Sequence, residues 1–427
     1  MSAAVRRSFD SLSVPNYRRY FAGQLVSLSG NWMQTVAALW LVLSLTDSGV
    51  AVGLTTALQF LPMLLFGAWG GLLADRFAKR RLLIVTQALM AIPAVALFAV
   101  TVGGVVAPWM VYLAVLSMGA VNAVDNPTRQ SFVIEMVGAD RVVNAVSLNS
   151  VIVQSARIAG PAVAGLLIAT LGVGPCFAVN ALTFVVMIAA LWLMDPAQLH
   201  PVPVAGREPG AIRAGLRYVA RTPELAVPLG LMALVGTFGF NFQVVLPLLA
   251  RFSFDGGAGV YAALASAMGA GSVAGALVTG AHGRTGPRLI AGAALAFGAS
   301  AGLAAAMPAL ALEIPMLALL GAASVTFAAT VNSTLQLAVE PAMRGRVMAL
   351  YSVVFLGSNP LGGPLAGWLS QAYDPRAALL LAAVAGCAAA WAARVAFSRC
   401  SRPTSGRRPP PASASAFRVR PSRRAPA

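Results

Sequence analysis

Acidic side chains are scarce: 13 Asp and Glu stand against 30 Lys and Arg in 427 residues, and charged residues of both signs make up only 10% of the chain. A soluble chain of this length needs roughly a quarter of its residues charged to cover its surface. A soluble globular protein is therefore excluded, and the surface is expected to face lipid. Histidine is rarer still, with His200 and His282 alone, both in expected loops. Cys176, Cys387 and Cys400 lie far apart with no CxxC spacing, so neither a metal site nor a redox pair is expected. A polytopic membrane enzyme would need convergent catalytic groups at membrane depth, and no His or carboxylate pair falls there. A channel would need a ring of like residues or a selectivity loop, and neither is evident. The reading calls for no cofactor.

What the chain has in abundance is apolar surface: 58% hydrophobic residues and a mean hydropathy of +0.78. Apolar runs fall at about 21–45, 50–74, 82–102, 108–128, 144–170 and 175–194, then at 224–250, 258–280, 288–307, 313–338, 345–371 and 376–397. Each is long enough to cross a bilayer as a helix of about 20 residues. The first run is too long, and lies too far from the start, for a cleavable signal peptide. Twelve spans leave room for short loops and no large soluble domain.

The net charge of +17 resembles that of a nucleic-acid binder, but its distribution points elsewhere. Alternate connections carry Arg18 and Arg19, then Arg76, Lys79, Arg80 and Arg81, then Arg129 and Arg141, continuing to Arg344 and Arg346. The opposite connections carry only Arg251 and Arg376. Cytoplasmic loops concentrate Lys and Arg, so both termini are expected in the cytoplasm and the number of spans is even. The expected organisation is a cytoplasmic N-terminus (1–20), a six-helix half (21–194), a cytoplasmic linker (195–223), a second six-helix half (224–397) and a disordered basic tail (398–427). That tail holds eight Arg and no acid. It is read as a topology anchor touching anionic lipid, with no nucleic acid expected. In the linker, Arg213, Arg217 and Arg221 recur every four residues, on one face of an amphipathic surface helix.

The two halves repeat. Asn126-Pro127-Thr128-Arg129-Gln130 is answered 206 residues later by Asn332-Ser333-Thr334-Leu335-Gln336. Gly160-Pro161 with Gly165 is answered by Gly363-Pro364 with Gly367, and Glu135 by Glu340. Duplicated six-helix halves characterise secondary transporters, whose site lies between the repeats.

Between the second and third runs stands Gly71-Leu72-Leu73-Ala74-Asp75-Arg76-Phe77-Ala78-Lys79-Arg80-Arg81. Gly71 permits close helix approach, and the basic cluster supplies partners for Asp75 and for lipid phosphates. This segment resembles the loop signature of the major facilitator superfamily, departing from it at Ala78. The resemblance implies an all-α membrane fold of two pseudo-symmetric six-helix halves, with Gly71, Asp75, Arg76, Lys79 and Arg80 as a gating element. Arg157, Gly160, Pro161 and Gly165 resemble the superfamily's antiporter motif, with Ala164 in place of one glycine, which implies export. Arg157 is also the one basic residue placed inside a span, where a charge needs a partner or a water-filled cavity; Asp125 is the partner in reach. Asn31-Trp32-Met33-Gln34-Thr35 and Asp125-Asn126-Pro127-Thr128-Arg129-Gln130 resemble the enterobactin-exporter-like branch, over about Asn16 to Ala396.

In this superfamily the first, fourth, seventh and tenth spans line the cavity. That nominates Asn31, Gln34 and Thr35, then Asn122 and Asp125, then Asn241 and Gln243, then Asn332 and Gln336. Trp32, Phe238, Phe240 and Phe242 would add stacking surface. Asp125 is the one carboxylate within reach of such a cavity. A site rich in amides and aromatics suits an amphipathic or aromatic solute, and suits a sugar phosphate poorly. The resemblance thus implies a monomeric, proton-driven efflux transporter of a bacterial inner membrane. Uptake of a small metabolite is the alternative within transport, and a non-transport polytopic protein the alternative outside it.

Overall fold

The computed structural model describes residues 10–200, 211–282, 285–340 and 343–400; residues 201–210 of the linker and most of the basic tail lie outside the described residues. Among these, helix follows helix with no strand. Eleven helices are long and apolar enough to cross a membrane: Pro15–Thr46, Gly49–Gly67, Lys79–Val102, Pro108–Val137, Asn144–Leu171, Gly174–Trp192, Pro223–Ser253, Ala258–Ala281, Pro287–Ala306, Leu310–Ala338 and Pro375–Phe397. The remaining expected span is present as two 14-residue helices, Arg344–Gly357 and Asn359–Ala372, meeting at Ser358. Pro360 has no N–H to close the turn there, which breaks the helix without reversing it. Twelve membrane helices in two sets of six result, and they are named below by ordinal.

Local chemistry sets their ends. Several open on proline in the first turn, where its missing N–H has no intrahelical partner to lose. The turn between the first two spans closes in two residues. Asp47 takes the left-handed conformation at φ 44°, and the Ser48 side chain caps the next helix by accepting from the Ala51 N–H at 3.3 Å. The outward faces stay apolar, with Leu65, Ile92, Leu166, Leu182 and Trp391 each more than half exposed. Such a surface is stable only against hydrocarbon, and helices suit it because each satisfies its own backbone.

Two seams join the halves: the second span runs along the eleventh, and the fifth along the eighth. Glycine makes both possible. A Cβ at Gly53 would stand 2.5 Å from the Gly363 carbonyl oxygen, and one at Gly367 would collide with the Gly49 carbonyl. On the other seam, a Cβ at Gly165 would collide with that of Ala262. The repeated Gly-Pro segments therefore occupy equivalent places, one on each seam.

The chain's ends differ in charge as the sequence implies. At the charge-poor end the Ser48 hydroxyl and the Val50 N–H donate to Gln371 Oε1 at 2.8 and 3.1 Å, and Arg251 pairs with Asp47 at 3.4 Å. Trp40 stacks on Tyr261 across the same end, with ring centroids 6.3 Å apart. The hydrogen bonds and ion pair joining the halves among the described residues cluster here, so this end is closed. The surface helix spans Ala211–Arg221 as expected, and its Gly215 packs on Arg346 and Leu350 of the eleventh span.

Candidate functional site

The halves enclose a cavity of about 280 Å³ walled by the first, second, fifth, seventh, eighth, tenth and eleventh spans. Its surface is largely aromatic. Trp32, Phe60, Phe240, Phe242, Tyr261 and Phe355 line it, and its polar points are Arg157, Thr35, Gln243, Ser272, Ser324 and Asn359.

The seventh span breaks where it meets this cavity: Pro223–Gly239 ends, Phe240 and Asn241 lie outside helix, and Phe242–Leu248 resumes. The break turns Phe240 into a cluster with Phe297 at 5.4 Å and Phe355 at 6.1 Å. Asn241 is buried, and its Nδ2 donates back to the Thr237 carbonyl at 2.7 Å. Asn241 packs against Gly362 of the eleventh span, outside the cavity wall. Gln243 does line the cavity, and its Oε1 is buried with no hydrogen-bond partner. An acceptor in that state carries a desolvation cost that a donor on a solute would remove.

The amides expected on the first span divide. Trp32 and Thr35 face the cavity, but Gln34 is buried inside the first half, where its Oε1 accepts from Asn180 Nδ2 at 2.5 Å. Asn31 belongs to the same group, with Asn180 Nδ2 3.4 Å from its Oδ1. Asn31 and Gln34 do share a helix face, but that face is turned to the sixth span. The physical reason is satisfaction: Asn180 supplies the partner that each amide needs away from water.

Asp125 is likewise internal to the first half. Its Oδ1 accepts from Thr86 Oγ1 at 2.6 Å and Gln87 Nε2 at 2.9 Å, and its Oδ2 pairs with Arg129 one turn on. Asp125 therefore neither lines the cavity nor neutralises Arg157, contrary to the expectation. Asn122 is exposed on the fourth span, which contributes no residue to the cavity wall. The repeated amides match in structure: Gln130 Nε2 donates to Asn126 Oδ1 at 3.1 Å, and Gln336 Nε2 to Asn332 Oδ1 at 2.6 Å. Asn332 and Gln336 thus satisfy each other along their own helix and lie outside the wall.

Arg157 and Pro161 do line the cavity. The Arg157 guanidinium lies over the Trp32 ring, 5.1 Å from its centroid, and forms no ion pair or hydrogen bond among the described residues. Gly160 lets the fifth span press on the first, where a Cβ would stand 2.8 Å from the Ser29 carbonyl and 2.9 Å from the Met33 nitrogen.

At the basic end, Gly71 is buried, and the closest backbone approach is at its neighbour Gly70, against the Ala123 carbonyl. The basic residues of the loop are used within the first half. Lys79 pairs with Glu135 at 2.5 Å, and Arg80 donates from Nε to the Leu191 carbonyl at 2.7 Å and from Nη2 to that of Trp192 at 2.9 Å. Those carbonyls belong to the C-terminal turn of the sixth span, a natural seat for a cation. Arg76 is exposed, and Asp75 is half-buried with no ion pair among the described residues. Of the basic neighbours expected to hold Asp75, Lys79 and Arg80 are thus engaged elsewhere.

Sequence reasoning missed Phe60, Tyr261, Met268, Ser272 and Phe355 because it restricted the walls to four spans. It also missed Glu313. This carboxylate is 1% exposed in the first turn of the tenth span, and neither oxygen has a hydrogen-bond partner. An acid at a helix start reads as a cap or a surface group, and nothing in the sequence marks it as buried.

Two six-helix halves meeting on glycine seams around a central cavity define a membrane transporter fold. Residues 7–410 match the family described as transmembrane secretion effector, and the chain belongs to this family of the major facilitator superfamily. Among curated relatives, the staphyloferrin A transporter of Staphylococcus aureus is 24% identical over 56% of this chain and 60% of its own length, so the match spans well under two thirds of that protein. The enterobactin exporter of Shigella boydii is 27% identical over 84% of this chain and 86% of its own. Among solved structures, the nucleoside transporter NupG is similar with a TM-score of 0.72 at 15% identity, covering 90% of this chain and 99% of that one. A bacterial homologue of the lysosomal transporter Spinster, inward-facing and unoccupied, gives 0.68 at 16% identity over 90% and 96%. At such identities the structural likeness shows the fold alone.

Proposed function

We propose that the chain exports a small amphipathic or aromatic solute across a bacterial inner membrane by alternating access, driven by protons. The observation carrying this is the aromatic cavity between the two halves, closed at the charge-poor end by the glycine seams and the Asp47–Arg251 pair. With the basic end in the cytoplasm by the distribution of Arg and Lys, the cavity faces the compartment from which an exporter loads. Asp75 is the group that re-forms cytoplasmic contacts when the halves rock the other way. Relatives named as an enterobactin exporter and a staphyloferrin A transporter support a solute of siderophore- or drug-like size, and the two-half design functions as a monomer.

The test is accumulation of fluorescent aromatic dyes and siderophores in an efflux-deficient bacterial host. Expression should lower accumulation, and Asp75→Asn or an uncoupler should restore it. Raised accumulation on expression would mean uptake. No change for any aromatic or amphipathic compound would overturn the reading.

A further inference from the structure

Among the described residues Arg157 is the only charged side chain lining the cavity, and it stands near the middle of the 30-residue fifth span. A charge at that depth is costly unless an opposite charge or water meets it. Among the described residues no countercharge is in place. Asp125 is committed to Arg129, Glu313 lies in the first turn of the tenth span, and Asp75 sits in the last turn of the second. What Arg157 does have is an aromatic neighbour. Its Cζ lies over the Trp32 ring, 5.1 Å from the centroid, and no acceptor among the described residues meets its N–H groups. A guanidinium with free N–H groups can grip a carboxylate by two parallel hydrogen bonds. The rest of the wall is uncharged and mostly apolar, with Phe60, Phe240 and Phe355 placed to cover a ring or an apolar body.

We infer that the transported solute is an anion, an aromatic or amphipathic carboxylate whose charge docks on Arg157 over Trp32 while its apolar body lies against the phenylalanines. This rests on the export reading above and narrows its substrate class. A cationic amphiphile would place a second positive charge beside an unneutralised one, and a neutral one can accept a hydrogen bond but leaves the charge of the guanidinium uncompensated. The lone arginine thus sorts solutes by charge in a cavity whose aromatic walls accept many shapes.

The test compares three probes of one shape: 1-naphthaleneacetate, its neutral amide, and 1-naphthylmethylammonium. Each is titrated calorimetrically into the purified full chain in lipid nanodiscs. The carboxylate should bind at least tenfold more tightly than the amide, and the ammonium should not bind measurably. Arg157→Gln should bring acid and amide to equal affinity with the amide unchanged within about threefold, which also reports an intact cavity. Arg157→Lys should keep a reduced preference for the acid, because charge survives and the planar fork does not; it serves in addition should Arg157→Gln not fold. Equal affinity of acid and amide for the parent chain, an undiminished preference in both Arg157 variants, or no binding of any probe would overturn the proposal. Counterflow in proteoliposomes separates the two readings. A protein that exchanges the amide or the ammonium faster than the acid is still a transporter but selects no anion, whereas absence of counterflow for all three fails the export reading itself.

Discussion

Arg251 Nη2 lies 3.4 Å from Asp47 Oδ1, tying the end of the seventh span to the turn between the first two and so one half of the molecule to the other. Both side chains are about half exposed, at 46% and 60%. A pair this wet contributes about 0–1 kcal/mol. Asp47→Asn or Arg251→Gln should therefore leave the fold intact and shift the balance between the two openings by up to about fivefold. A single cysteine introduced at Thr56, buried on the second span against Gly363, reads that shift. Its labelling by a membrane-impermeant maleimide from outside intact cells should rise in either variant. Unchanged labelling would mean that the pair does not hold this end closed.

The glycine seams should be far less forgiving than the ion pair. At Gly53 a Cβ meets the Gly363 oxygen at 2.5 Å and the Pro364 Cα at 2.9 Å, all backbone that cannot rotate away. Gly53→Val or Gly367→Val should therefore prevent closure of the charge-poor end and lower export at least tenfold, with expression retained. Gly292→Val is the control, since nothing lies within 4 Å of a Cβ there. Equal losses in all three variants would indicate a general folding defect and remove the seam argument.

The fold was legible because hydrocarbon imposes one rule on every span, so apolar length and the alternation of basic loops sufficed. The helix from Ala211 to Arg221 and the break between the halves fell where the Arg spacing placed them. The fourth span shows the limit of that rule. It was expected to stop near residue 128 and runs on to Val137, because Asp125 with Arg129 and Lys79 with Glu135 satisfy the charges that hydropathy counted against it. The cavity was harder for a related reason. Amide side chains read as solute-binding groups, but Gln34 and Asn31 turn to Asn180, and Gln336 to Asn332. The pairing with Asn180 is a tertiary fact, whereas Gln336 and Asn332 are one turn apart on a single helix. Gln243, Trp32, Thr35, Phe240 and Phe242 do line the cavity, as do Arg157 and Pro161, which the sequence singled out for a motif and not for the wall.

Asp125 and Arg129 make a separate prediction, about stability. The carboxylate is 3% exposed and accepts from Thr86 and Gln87 as well as from the guanidinium. Removing one member of a buried pair leaves the other uncompensated, at a cost of about 3–5 kcal/mol. Asp125→Asn should lower the thermal midpoint in detergent by several degrees, and the double change Asp125→Asn with Arg129→Gln should recover most of the loss. A single variant as stable as the parent, but deaf to a pH gradient, would instead make Asp125 the proton carrier.

With Asp125 held by Arg129, the fully buried carboxylate open to proton coupling among the described residues is Glu313. It is buried, neither oxygen has a hydrogen-bond partner, and its nearest cation, Arg376 of the twelfth span, spends Nη2 on the Met307 carbonyl at 2.9 Å. A carboxyl so placed exchanges its charge readily when its surroundings change, because neither protonation state is fixed by a close partner. Glu313→Gln mimics the protonated form and removes no packing volume, so the thermal midpoint should stay the same or rise. In proteoliposomes the variant should still exchange solute for solute in counterflow. It should fail to accumulate solute when only an imposed pH gradient drives transport, while the parent chain does so. Gradient-driven accumulation that persists undiminished in Glu313→Gln would remove Glu313 from the coupling mechanism, and loss of counterflow as well would mean that the residue serves the halves' motion rather than the proton.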